Sequence, residues 1–99
     1  MRQIFTLTAM NFVWNLRKAA SNLKKHGVSF EEASTVFLDA LSITGADPDH
    51  SQGEERWLTF GVSKQGNFIA VSHTDEGDDI RIISARRGTK PERKIYEEG

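Results

Sequence analysis

From Trp57 to Ala85 the chain offers three β-type runs in quick succession: Trp57-Leu58-Thr59-Phe60-Gly61-Val62, Phe68-Ile69-Ala70-Val71-Ser72-His73, and Ile80 to Ala85. They are joined by short connections that carry glycine, Lys64-Gln65-Gly66-Asn67 and Thr74 to Asp79 with Gly77 inside. Tight glycine-bearing turns between alternating or fully apolar runs specify antiparallel hairpins. Leu41 to Thr44 adds a short strand upstream, so the second half of the chain reads as a four-strand antiparallel meander. Such a sheet must be covered by whatever helices the flanking sequence supplies.

Two helices precede the meander. Asn11-Phe12-Val13-Trp14 reads as a strand, and Asn15 as the N-cap of a helix in which Leu16, Ala19, Ala20 and Leu23 form one apolar face. Gly27 is the expected left-handed stop. Ser29-Phe30-Glu31-Glu32 has the spacing of a capping box and opens a second helix from about Phe30 to Leu38, burying Phe30, Ala33 and Phe37. Thr89-Lys90-Pro91-Glu92 repeats the capping pattern, so a short helix from Lys90 to Glu98 closes the chain. The order is strand, two helices, four-strand meander, short C-terminal helix, an α+β fold. Residues 1–10 show no clear pattern and read as an extension, with Met10 an alternative start, ahead of a single domain at 11–99.

The 99 residues suffice for one core, and 37% apolar with 27% charged residues is globular composition. There is no cysteine, hence no disulfide, thiolate chemistry or cysteine zinc site, which is compatible with the cytoplasm. No apolar run approaches the roughly 20 residues that cross a bilayer. The formal net charge of -1 excludes a strongly basic protein, yet charge is segregated along the chain. From Ile80 to Ile95 six bases (Arg81, Arg86, Arg87, Lys90, Arg93, Lys94) face one acid, Glu92. Asp39 to Glu55 carries five acids and no Lys or Arg. The basic end is a candidate site for an anion.

Metal and nucleophile chemistry are weak readings. His26, His50 and His73 with Asp47 and Asp49 show none of the helical spacings of zinc motifs, and Ser84 with His73 lacks a nucleophile elbow. No cofactor is expected. Phosphodiester cleavage needs less: a 2′-hydroxyl deprotonated, a phosphorane stabilised, a 5′-oxygen protonated. Arginine suits the charge and histidine the proton transfer. If the last hairpin turns at Glu76-Gly77, His73 and Arg81 fall opposite each other, and Lys25-His26 ends the first helix nearby. Each has a structural alternative: Arg81 paired with the acidic turn, His73 in the core, His26 serving the helix dipole.

Lys25-His26-Gly27-Val28-Ser29-Phe30-Glu31-Glu32-Ala33 with Val36-Phe37-Leu38-Asp39 resembles the BrnT family of toxins. So do Asp47-Pro48-Asp49-His50-Ser51, Gly53-Glu54-Glu55-Arg56, Ile80-Arg81-Ile82-Ile83-Ser84-Ala85-Arg86-Arg87, Glu92-Arg93 and Tyr96-Glu97. The resemblance covers about residues 12–98. It implies a RelE-like fold and a metal-independent endoribonuclease toxin that stops translation. It also implies a BrnA-like ribbon-helix-helix antitoxin, with DNA bound only through that partner. Asn15 stands where the family usually has Asp; it caps a helix equally well but supplies no carboxylate. Chemistry placed on these motif positions gives Arg86 and Arg81 as charge stabilisers, with His73 or His26 for proton transfer and Glu55 as a spare base. Lys25, Arg56, Arg93 and Lys94 would hold RNA, and Arg87 would be a rim or antitoxin contact. The charge pattern alone equally suits a regulatory module that binds without catalysis, or a degenerate toxin that binds only its antitoxin.

Overall fold

The computed structural model describes residues 1–47 and 55–99. Strands β1 (Arg2–Leu7), β2 (Met10–Asn15), β3 (Ile43–Ala46), β4 (Trp57–Val62), β5 (Phe68–Glu76) and β6 (Asp79–Arg87) form one sheet in the order β1-β2-β6-β5-β4-β3. Helices α1 (Leu16–His26) and α2 (Phe30–Thr35), with a 3-10 turn at Val36–Leu38, lie between β2 and β3, and α3 (Lys90–Glu98) ends the chain. The meander β3 to β6 is antiparallel throughout, as its turns require. β2 adds to β6 in parallel, making the sheet mixed.

Residues 1–10 depart from the expectation of a patternless extension, because Arg2–Leu7 pairs along its whole length with β2. The two-residue turn uses Thr8 and Ala9, both at positive φ. Hairpin turns of that kind normally announce themselves with Asn or Gly, so the signal for β1 was absent.

Successive residues of β5 feed opposite faces. Ile69 and Val71 join Phe12, Trp14, Val28, Phe30, Ala33, Val36, Ile82 and Ala85 in the main core under α1 and α2. Phe68 and Ala70 join Phe60 in a smaller cluster capped by Tyr96 of α3. Gly88 is obligatory there: a Cβ would lie 2.2 Å from the Phe68 ring. Tyr96 Oη donates to Asp39 Oδ2 (2.6 Å), and the same carboxylate accepts Val62 N–H and Leu41 N–H. Burial alone would raise the Asp39 pKa, but these three donors outweigh it and hold it below the usual value.

α1 caps as expected, with Asn15 Oδ1 accepting from Arg17 N–H and Lys18 N–H, and it stops at left-handed Gly27. The face it buries is different. Leu16 and Leu23 are 39% and 51% exposed and Ala20 is exposed, whereas Asn22 is buried. β2 pairs with β6 only at Phe12/Ile80 and Val13/Arg81, and beyond that point the open edge of β6 meets α1. The Asn22 amide closes this edge: Nδ2 donates to Ala85 O (2.8 Å) and Val28 O (3.0 Å), and Oδ1 accepts Ala85 N–H (3.1 Å). α2 forms half the expected capping box. Ser29 accepts Glu32 N–H, but the Glu32 carboxylate turns to Ser63 and Asn67 instead.

The last hairpin corrects the expected register. Glu76 pairs with Asp79, so Thr74 opposes Arg81 and His73 opposes Ile82. His73 and Arg81 therefore point to opposite faces. His73 is 5% exposed, its ring 4.9 Å from Phe37 and its Nε2 2.7 Å from Thr59 Oγ1, with Nδ1 unpartnered. Burial pushes its pKa from 6.5 down to about 4, against a smaller opposing pull from Asp75.

Two measurements probe this account. Asn22→Ala orphans the amide and carbonyl of Ala85 and the carbonyl of Val28, and should lower stability in denaturant titration by about 3 kcal/mol or more. Lowering the pH should protonate His73 in the unfolded chain near 6.5 but in the folded chain only near 4. Stability should therefore fall as pH drops between those values, by on the order of 3 kcal/mol at most, and level off below them. His73→Gln should flatten that part of the stability profile.

Candidate functional site

Between Ser72 and His73 the β5/β6 register shifts, leaving Ile83 without an opposite partner. This β-bulge resets the alternation of β6, so that Ile82 and Ala85 both enter the main core although three residues apart. Ile83 is half-buried rather than core and, with Ser84, faces a hollow beside α1.

That hollow, of about 200 Å³, is lined by Lys18, Ser21, Asn22, Lys25, His26, Ile83 and Ser84. A second, of about 260 Å³, lies toward the N-terminus of α1 and is lined by Arg2, Trp14, Asn15, Lys18, Glu76, Arg81 and Ile82. Lys18 lines both, so the two hollows adjoin at that residue along α1 and β6 and are together termed the trough. A separate hollow of about 250 Å³ at the far end of β6 is lined by Phe68, Arg87, Gly88, Thr89, Lys90 and Arg93. Six residues of strand, roughly 20 Å, separate Arg81 from Arg87.

The ten residues expected to act together are thus dispersed. Lys25 and His26 meet in the first hollow and Arg81 stands in the adjoining one. Arg87 and Arg93 belong to the distant hollow, where Arg87 donates to Asn67 Oδ1 and Arg93 lies over the Phe68 ring (5.4 Å). Lys94 is exposed on α3. Glu55 is exposed and Arg56 half-buried just before β4, with β5 between them and β6. His73 is in the core. Of the metal candidates, Asp49 and His50 fall outside the described residues, and no group of three or more ligating side chains gathers among those described.

Arg86 does not offer a vacant fork. Its Nη1 and Nη2 donate to the two Glu92 carboxylate oxygens, both at 2.9 Å. Glu92 also completes the α3 capping box by accepting Thr89 N–H. The Arg86 bonds come first among the causes that hold the Glu92 pKa below its usual value. Arg81 pairs with Glu76, which also binds Arg2, and Arg93 pairs with Glu97.

Unpaired positive charge lies on α1 as well as at Arg87, Lys90 and Lys94, which make no ion pair among the described residues. Arg17, Lys18, Lys24 and Lys25 make no ion pair among the described residues, and the helix contains no acid. Arg17 and Lys18 stand in the first turn, where the helix dipole disfavours cations. Sequence reasoning passed over Lys18, although it lies two turns before Lys25 and so on the same side of the helix.

A sequence model of the family described as the ribonuclease toxin, BrnT, of type II toxin–antitoxin systems matches residues 14–92, well over half of the chain. The chain belongs to the BrnT family. The crystal structure of the Brucella abortus ribonuclease toxin, BrnT, superposes with a TM-score of 0.56 at 21% identity, covering 78% of this chain and 94% of that one, a likeness of fold. A search of curated proteins gives no match. The mixed α+β architecture is therefore that of a BrnT toxin. Several BrnT-like motif residues hold the fold: Gly27 stops α1, Ser29 caps α2, Glu32 ties α2 to the β4–β5 turn, and Asp39 receives Tyr96. Lys25, His26, Arg81, Ile82, Ile83 and Ser84 are motif residues that line the trough.

The anchoring of α3 is testable. Gly88→Ala drives a methyl into the Phe68 ring and should cost about 1–3 kcal/mol in thermal unfolding. Arg86→Ala removes a half-exposed bidentate pair and should cost only about 1 kcal/mol.

Proposed function

We propose that this BrnT chain is a metal-independent endoribonuclease that cleaves RNA in the trough between α1 and β6 and so inhibits translation. What carries the reading is the convergence of Lys18 and Lys25, cations without ion partners among the described residues, beside His26, in a protein of a ribonuclease toxin family. The phosphodiester lies between Lys18 and Lys25, with Arg81 at the continuation of the trough. The neutral His26 imidazole takes the proton of the 2′-hydroxyl, whose oxygen bonds to phosphorus. The lysines offset the negative charge that grows on the phosphorane oxygens. The bond from phosphorus to the 5′-oxygen breaks, that oxygen takes up a proton from the His26 imidazolium, and a 2′,3′-cyclic phosphate remains. His26 ends α1 one residue before Gly27, so its backbone is fixed by the same stop that ends the helix.

His73, buried, and Arg86, committed to Glu92, have no part in this reaction. Arg87 and Arg93, at the other end of β6, extend contact with the RNA backbone. In the cell the partner is a BrnA-like ribbon-helix-helix antitoxin, through which the pair reaches DNA, and the site of action is the cytoplasm. Among the described residues no helix is long and apolar enough to cross a membrane.

The test is cleavage of single-stranded RNA by purified protein in EDTA. Wild type should cleave it. His26→Gln should lose about 10²–10⁴-fold in rate, while Lys18→Gln and Lys25→Gln should each lose about tenfold, one charge-assisted contact apiece. No cleavage by wild type, or equal cleavage by His26→Gln, overturns the proposal.

A further inference from the structure

The trough uses one side of α1. Around the helix from it, Leu16, Ala20 and Leu23 fall at i, i+4 and i+7 and form a continuous apolar strip on the surface. Two leucines at 39% and 51% exposure on one helix face are apolar surface that folding has left uncovered. Arg17 and Lys24 flank the strip, at i−3 and i+4 of Ala20. Neither makes an ion pair among the described residues, and Ala20 between the leucines permits close approach of a second backbone.

Three kinds of occupant can be weighed on charge and polarity. A second copy of this chain would set four unneutralised cations on one α1 against four on the other, at a spacing where like charges repel. RNA would satisfy Arg17 and Lys24 but would leave Leu16 and Leu23 without apolar partners. An amphipathic helix with leucine-like residues on one side and acids along its margin satisfies both features.

We propose that the Leu16–Ala20–Leu23 strip is the docking face for an acidic amphipathic helix of the antitoxin, its carboxylates reaching Arg17 and Lys24. The family reading enters only in naming the antitoxin as the carrier of that helix. The apolar strip supplies affinity and the two cations fix orientation, because rim charges govern encounter and register more than they govern binding strength. A helix seated here lies on the side of α1 away from the trough, and its acids reach Arg17 and Lys24, each next in sequence to one of the trough lysines, Lys18 and Lys25.

The experiment uses the full chain and the antitoxin encoded beside it, purified from the co-expressed pair and recombined in titration calorimetry. The doubly substituted Leu16→Ala/Leu23→Ala protein should bind about thirtyfold more weakly, roughly sixfold for each of the two apolar anchors. Arg17→Gln/Lys24→Gln should bind several-fold more weakly and show a flatter dependence on salt. Ala20→Gln, which keeps the helix and adds bulk mid-strip, should weaken binding as the leucine pair does. The leucine pair and Ala20→Gln should cleave RNA at the wild-type rate. Undiminished antitoxin binding by the leucine pair and by Ala20→Gln overturns the inference. So does a wild-type dimer in sedimentation that the leucine substitutions dissolve, since the strip would then serve a second copy. If wild type cleaves no RNA but the binding losses occur as stated, the docking face stands and the nuclease reading falls.

Discussion

The amide of Asn22 is the joint on which the arrangement of this protein depends. A strand at the edge of its pairing presents bare N–H and C=O groups that must find partners once buried. β2 covers β6 for only two residue pairs, after which the chain has already turned into α1. The Asn22 side chain substitutes for the missing strand, donating to and accepting from Ala85, and reaches Val28 with its second N–H. One residue thereby ties α1 to β6 and to the turn leading into α2. A carboxamide alone among short side chains has both the donors and the acceptor this requires. The trough exists because α1 is held against the strand edge in this way, with Lys18, Lys25 and His26 on the side facing Ile83 and Ser84.

Charge is the second organising constraint, and it acts through pairing rather than through counting. The segment from Ile80 to Ile95 holds six bases against one acid in sequence. Folding brings Glu76 to Arg81, Glu92 to Arg86 and Glu97 to Arg93, so half of those six bases are paired, whereas Arg87, Lys90 and Lys94 make no ion pair among the described residues. α1 holds fewer bases, but no acid of its own and no acid from any described neighbour compensates them. Anion-attracting charge therefore lies on α1 as well as at the arginine-rich end of β6.

Much of the fold could be read from residues. The meander followed from Gly66 and Gly77 in tight turns, the helix ends from Asn15, Gly27, Ser29 and Thr89, and α3 from its capping box. What escaped had physical causes. β1 turns on Thr8-Ala9, which lack the usual turn chemistry. The partner of His73 was displaced by a single residue, because the turn closes on Glu76/Asp79, and one residue exchanges faces completely. The bulge at Ile83 then restores Ala85 to the core, a correction no alternation rule foresees. For α1 the apolar periodicity was real but misread: it marked the face turned to solvent, while a polar asparagine occupies the buried side. Of the residues that line the proposed site, Lys25, His26 and Arg81 could be named from the sequence, whereas Lys18 came into view only with the packing of α1 against β6.

The composition of α1 makes sense only if its parts are assigned to partners outside the chain. Two cations in its first turn oppose the helix dipole, each at roughly 0.3–1 kcal/mol, and Leu16 and Leu23 leave apolar surface in water that burial would stabilise. Neither choice aids folding, since Asn15, Asn22 and Gly27 already cap, clamp and stop the helix. Residues that break local rules without helping the fold are where function resides. Around its circumference α1 shows a clamp toward the sheet, a cationic side with His26 toward the trough, and an apolar strip edged by Arg17 and Lys24. On the reading proposed above, acids seated at Arg17 and Lys24, the chain neighbours of Lys18 and Lys25, alter the field felt in the trough, an effect that salt screens over about 8 Å at physiological strength. An acidic partner seated on the strip would weaken the pull of Lys18 and Lys25 on RNA without entering the trough, and that is the property an antidote to a ribonuclease requires.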